Sequence, residues 1–164
     1  MPATAPTPAP VLPAPSTRTL GTVLLSGAVA TVAFDLFGQA LSPLAGFASL
    51  APVPLATQVW QVLSGETVPA MGHLLHYAAG LLAYPAGWLF LARPALGRLA
   101  PALPWWAAAT VYGVGLWIFA LFFMASLIAG NPPFLGFTGI AWVALVGHVL
   151  FALVAAWIAR RRGL

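Results

Sequence analysis

The chain has 164 residues, of which 62% are hydrophobic and only 5% are charged. Ordinary soluble domains carry roughly 25% charged residues, so this composition excludes a soluble globular domain and indicates an integral membrane protein. Cysteine is absent, which excludes disulfides and thiolate metal sites. The net charge of +4 comes from arginines that flank apolar segments, and the positive-inside rule explains such positions without nucleic-acid binding.

Residues 1–18 alternate proline with small residues and are predicted to form a disordered cytoplasmic tail. The first apolar segment covers about residues 19–41. It is longer than the hydrophobic region of a secretory signal and continues past Asp35. We therefore expect an uncleaved first membrane span.

A short amphipathic segment follows between residues 54 and 64. Its apolar and polar residues alternate with helical spacing, with Leu55, Val59, Val62 and Leu63 opposite Thr57, Gln58 and Gln61. The segment is too short to cross a bilayer. We expect a helix lying flat on the outer surface, with Trp60 among the lipid headgroups.

Three further apolar segments are long enough to span a membrane, at about residues 69–92, 105–130 and 134–159. The second span is expected to end where Arg93 and Pro94 interrupt it. Asn131 and two prolines are expected to end the third span, because proline removes backbone donors and disfavours helix in the preceding residue. A basic cytoplasmic tail covers residues 161–164.

The predicted fold is an all-α integral membrane protein with four transmembrane helices in an up-down bundle, forming one membrane domain over residues 19–160. This threading puts every cationic residue on one side of the bilayer: Arg18, Arg93, Arg98, Arg160, Arg161 and Arg162. Cytoplasmic segments are enriched in arginine. We therefore expect a multi-pass protein of the bacterial inner membrane with both termini in the cytoplasm.

Polar residues concentrate in the outer half of the first two predicted spans. A helix rises about 1.5 Å per residue, which puts Asp35 and His76 at one depth and Gln39 and His73 nearer the outer surface. An aspartate in hydrocarbon is unfavourable by roughly 2.5–3.5 kcal/mol, so it requires a partner. We predict a polar cluster of Asp35, His76, His73 and Gln39. His148 lies near the midplane, in a stripe of small residues that should face the bundle.

Three hypotheses account for this cluster. In the first, its hydrogen bonds align the helices of an accessory or structural membrane component. In the second, Asp35 and His76 exchange a proton that His73 passes to or from the outer surface, because histidine titrates near neutral pH. The protein would then be a proton-coupled transporter or a pH-responsive subunit. Four spans are few for a transporter, so this hypothesis implies a homo-oligomer or a larger membrane complex.

The third hypothesis is a bound cofactor, although the first expectation is that none is bound. His73, His76 and Asp35 are a plausible set of divalent-metal ligands, and His76 with His148 could ligate a b-type haem. The depth estimate separates those two histidines by roughly 10 Å, which disfavours the haem. No nucleophile with a base, phosphate-binding glycine loop or dinucleotide motif is present. We therefore do not expect a stand-alone enzyme.

Overall fold

The computed structural model describes residues 12–164, and over that range the chain is helical and has no strands. We number the helices in chain order as α1 (Thr17–Leu44), α2 (Pro52–Ser64), α3 (Pro69–Leu99), α4 (Trp105–Ile128) and α5 (Gly139–Arg161). Four of them, α1, α3, α4 and α5, are long and apolar enough to cross a membrane. The predicted number of long apolar helices is confirmed.

The first helix begins at Thr17, two residues before the predicted boundary. Ser16 explains this start, because its hydroxyl accepts a hydrogen bond from the Thr19 amide at 3.1 Å and so satisfies one of the free donors of the first turn. Residues 1–11 of the predicted disordered tail lie outside the described residues.

Wide π-helical turns let α1 and α3 continue through prolines. A proline lacks an N–H group, and its ring collides with the carbonyl one α-helical turn earlier. Each π segment of these two helices, with its i→i+5 bonding, stands immediately before a proline-containing turn: Phe37–Leu41 before Pro43, Ala79–Ala83 before Pro85, and Trp88–Ala92 before Pro94. The second long helix therefore continues to Leu99, beyond the residue at which the span was expected to end.

The last helix begins at Gly139, five residues later than predicted. Pro133–Phe137 forms a tight turn, in which Phe134, Leu135 and Phe137 have positive φ. Such angles cannot continue a right-handed helix. Aromatic packing accompanies the turn, since the Phe134 ring lies 4.6 Å from that of Trp117 on α4.

Helix α5 packs between α1 and α4 and is the most buried of the long helices. The predicted stripe of small residues faces the interior, as burial shows for Ala144, Ala152, Ala155 and Ala159. At its far end, the Arg18 guanidinium donates to the Arg162 carbonyl, and Arg162 Nε donates to Thr22 Oγ1 at 2.8 Å. The first turn of α1 therefore lies against the last turn of α5.

Glycines allow the closest helix contacts. A Cβ on Gly27 of α1 would lie 2.5 Å from the Leu81 carbonyl oxygen and 2.7 Å from that of Gly80 on α3. On α4, a Cβ on Gly113 would lie 2.6 Å from the Val149 Cα of α5. These backbones touch because the side chains are missing.

Helices α3 and α4 contact each other mainly near the loop that joins them, where Trp88–Ala92 and Arg93–Leu99 pack against the start of α4. Away from that loop a cavity separates them. Helix α2 packs on α3 with Val59 buried, and it covers one end of this cavity.

Candidate functional site

The centre of the candidate site is a hydrogen-bonded pair that joins α1 to α3. His76 Nε2 lies 3.1 Å from Asp35 Oδ1 and 3.2 Å from Oδ2. The His76 side chain is 12% exposed and that of Asp35 is 23% exposed. An ionised carboxylate only accepts hydrogen bonds, so Nε2 carries the proton that joins the pair.

Gln39 completes the environment of the carboxylate. Its side-chain amide lies one turn further along α1 and donates to Asp35 Oδ1 at 2.8 Å. Asp35 therefore accepts hydrogen bonds from two side chains, which stabilises its charged form in this apolar helix.

His73 lies outside this hydrogen-bonded group. Its side chain is exposed, and its ring stacks on Tyr77 with the centroids 6.2 Å apart. Tyr77 also contacts His76, at 5.1 Å between ring centroids. Of the four residues predicted to cluster, the structure thus brings three into direct contact and leaves His73 at the rim.

His148 lies on α5, buried and next to the pair. Its Nδ1 is 2.7 Å from the Ala144 carbonyl oxygen. A carbonyl cannot donate, so Nδ1 carries a proton, and in the neutral ring Nε2 is left as an acceptor. The Phe34 ring packs against both histidines, with its centroid 5.1 Å from His148 and 6.3 Å from His76.

A cavity of about 600 Å³ extends from this point between α3 and α4. His76 and His148 both line it, as do Thr31 and Tyr84, while most of its wall is aliphatic or aromatic. Small-molecule sites have this composition and occupy roughly 300–1,000 Å³. The candidate site is therefore an apolar cavity with a few polar groups on its wall.

The structure does not bring the predicted metal ligands together. Among residues 12–164, no group of three or more His, Cys, Asp or Glu side chains could hold a metal ion. His73 points away from the Asp35–His76 pair and stacks on Tyr77, so the set of His73, His76 and Asp35 reduces to two ligands. His148 contributes no third ligand.

The haem hypothesis concerns His76 and His148. A haem-ligating histidine binds iron through one ring nitrogen and donates from the other. His148 has Nδ1 engaged and Nε2 open, and His76 has Nε2 engaged by the Asp35 carboxylate and Nδ1 open. Their hydrogen bonds fit either role, so the haem site stays a prediction.

Sequence reasoning missed Thr31 and Tyr84. Thr31 Oγ1 is buried and has no hydrogen-bond partner among the described residues. The sequence carried one indirect signal, since Thr31 lies one helical turn before Asp35 and hence on the same face of α1. For Tyr84, the only indication in the sequence was the proline that follows it.

The chain matches no protein-family model, no curated protein and no solved structure. Four helices long and apolar enough to cross a membrane are compatible with a multi-pass membrane protein.

Proposed function

We propose that this chain is a multi-pass protein of the bacterial inner membrane, with four spans in an up-down bundle and both termini in the cytoplasm. The arrangement of the arginines supports this orientation. Arg18 contacts Arg162, and Arg93 and Arg160 line one small cavity beside the end of α5. A membrane protein with its arginines gathered at one end places that end in the cytoplasm.

Within this topology, we propose that the protein is an accessory membrane component that binds and releases one proton at the Asp35–His76 pair. The bond between His76 Nε2 and both carboxylate oxygens carries the proposal. With Nε2 held by the carboxylate, an added proton goes to Nδ1 and gives an imidazolium that faces its counter-ion. Such a pair keeps an ionisable site within a helix that is otherwise apolar.

The Asp35–His76 pair is exposed on one side and meets apolar groups on the other. Asp35 is partly exposed, and Gln39 and His73 lie on its outer side, as exposed residues one turn away from the pair. The opposite side of His76 meets Phe34 and the apolar cavity. We propose that protons reach the pair from this outer side by way of the exposed His73, which lies one helical turn before His76 on α3. A continuous path across the membrane would require several copies of the chain.

Proton flux in liposomes tests this proposal. The purified protein is reconstituted with an internal pH-sensitive dye, and a potassium gradient with valinomycin drives protons inward. We expect the wild type to acidify the interior faster than protein-free liposomes, the Asp35→Asn variant to lose this activity, and Asp35→Glu to recover part of it.

Glu66→Gln is the matched control, because Glu66 is an exposed carboxylate outside the pair and its removal should leave the flux unchanged. Each variant must elute from gel filtration as the wild type does. A wild-type rate equal to that of empty liposomes, or an Asp35→Asn rate equal to that of the wild type, would contradict proton transfer. The same bonds would then serve only to join α1 and α3 in a structural component.

A further inference from the structure

The cavity contains more hydrogen-bonding capacity than the protein uses. Thr31 is only 3% exposed, and its Oγ1 has no hydrogen-bond partner among residues 12–164. His148 is 7% exposed and bonds through Nδ1 alone, leaving Nε2 without a partner among the described residues. A buried polar group without a partner is unfavourable, so the Thr31 hydroxyl and the open Nε2 of His148 on the wall of one cavity point to a polar group of a ligand there.

Tyr84 adds a donor to the same wall. Its ring lies 6.4 Å from that of His148 between centroids, and its hydroxyl makes no hydrogen bond within residues 12–164, although its backbone carbonyl accepts one from Tyr112. A tyrosine hydroxyl can donate, whereas Nε2 of a neutral histidine accepts. Together they suit one head group that both donates and accepts.

The rest of the cavity suits an apolar chain. Its far wall consists of Leu55 and Val59 from α2, Leu75 from α3, and Leu121 and Met124 from α4. The cavity lies between two helices that cross apolar surroundings in the proposed topology, so its contents would come from lipid and not from water. The cavity is also large enough for a drug-sized molecule.

From this geometry we infer that the cavity binds a single-chain amphiphile whose head is a protonated carboxyl or a hydroxyl group, such as a long-chain fatty acid. The head O–H donates to His148 Nε2, and its oxygen accepts from the Tyr84 hydroxyl. The alkyl chain runs along the apolar wall beneath α2. The inference requires the membrane location proposed above but not proton transfer by Asp35.

The test uses tritiated hexadecanoic acid and the full-length protein in detergent, with binding followed by scintillation proximity. We expect saturable binding near one molecule per chain that unlabelled hexadecanoic acid displaces. Methyl hexadecanoate has the same alkyl chain but no O–H donor. It should compete about tenfold less well, because it leaves His148 Nε2 unpaired. This comparison needs only the wild-type protein.

Variants locate the site. His148→Leu removes the acceptor and should weaken binding of the acid about tenfold while the ester binds as before. His73→Leu is the matched control, since it removes an exposed histidine away from the cavity. Ala120→Phe fills the cavity and should abolish binding, whereas Val146→Phe, at an exposed position of α5, should not change it.

Four results would overturn the inference. Binding that never saturates shows partition into detergent only. Equal competition by the ester, or an unchanged affinity in His148→Leu, shows a cavity filled by any acyl chain without recognition of its head. Binding that survives Ala120→Phe places the ligand elsewhere. Asp35→Asn should bind hexadecanoic acid normally, so loss of proton flux and loss of ligand binding are separable outcomes.

Discussion

The Asp35 carboxylate can lie in an apolar helix because it accepts hydrogen bonds from two side chains. An unpaired aspartate at the centre of a membrane is unfavourable by roughly 2.5–3.5 kcal/mol even on the mildest scale. Here His76 and Gln39 both donate to the carboxylate, and the side chain keeps 23% of its surface exposed. Partial exposure weakens the attraction within the pair, since solvent screens it.

A double-mutant cycle measures how strongly Asp35 and His76 depend on each other. Asp35→Ala and His76→Ala should be non-additive in unfolding free energy by about 0.6–1.7 kcal/mol, the range of hydrogen bonds measured between membrane helices. Tryptophan fluorescence during unfolding by sodium dodecyl sulfate provides the measurement.

The matched cycle pairs Asp35→Ala with His73→Ala. His73 shares the helix of His76 but makes no contact with the carboxylate, so these two changes should add. Equal coupling in both cycles would show that the alanine substitutions act through a general loss of structure.

At the residue scale, the sequence predicted which polar groups share a depth. Counting helical rise from the span centres put Asp35 and His76 at one depth, with Gln39 and His73 nearer the outer surface. Counting could not predict that His73 turns outward to Tyr77 or that Thr31 lacks a partner, because both depend on the rotation of one helix against another.

Helices α1 and α3 show how proline and glycine act together in this fold. The π turns before Pro43 and Pro85 shift the face that each helix presents, while Gly27 and Gly80 let the two backbones touch. For this reason α3 continues as a helix past Arg93 and Pro94, where the second span was expected to end: a π turn accommodates the proline ring, and sequence patterns give no sign of it. The start of α5 was missed because aromatic packing against Trp117 accompanies a left-handed turn.

Gly27→Ala tests this contact between helices. The added methyl group would meet backbone carbonyl oxygens of α3, which can move only with the helix, so we expect a loss of about 1–3 kcal/mol in unfolding free energy. The same detergent titration provides the measurement.

Gly115→Ala is its control on α4. A methyl group there meets nothing within 4 Å, and alanine is favoured over glycine in a helix by up to about 1 kcal/mol. This variant should be as stable as the wild type or more so. If the two variants behave alike, close packing at Gly27 does not contribute to stability.

For the whole molecule, the separation of α3 from α4 creates the site. The two helices meet near their connecting loop and part beyond it, and α2 covers the opening instead of lying free on a lipid surface. Amphipathic spacing predicted the helix itself. Helix α2 can pack closely over the cavity because α3 has a glycine, Gly72, at the contact. A Cβ on Gly72 would lie 2.8 Å from the Val53 carbonyl oxygen of α2. The sequence alone gives no sign that Gly72 and Val53 are in contact.

The absence of cysteine from the chain makes the proposed orientation directly testable in cells. A single cysteine at Glu66, in the connection between α2 and α3, should react with a membrane-impermeant maleimide added to intact spheroplasts. A single cysteine at Leu99, which is 83% exposed at the end of α3, should react only after permeabilisation, because the proposed orientation puts Arg93, Arg98 and this end of α3 in the cytoplasm. The reverse pattern would put the arginines and both termini outside. Reaction of both cysteines in intact spheroplasts would show that α3 does not cross the membrane, and Asp35 and His76 would then have no reason to pair within lipid.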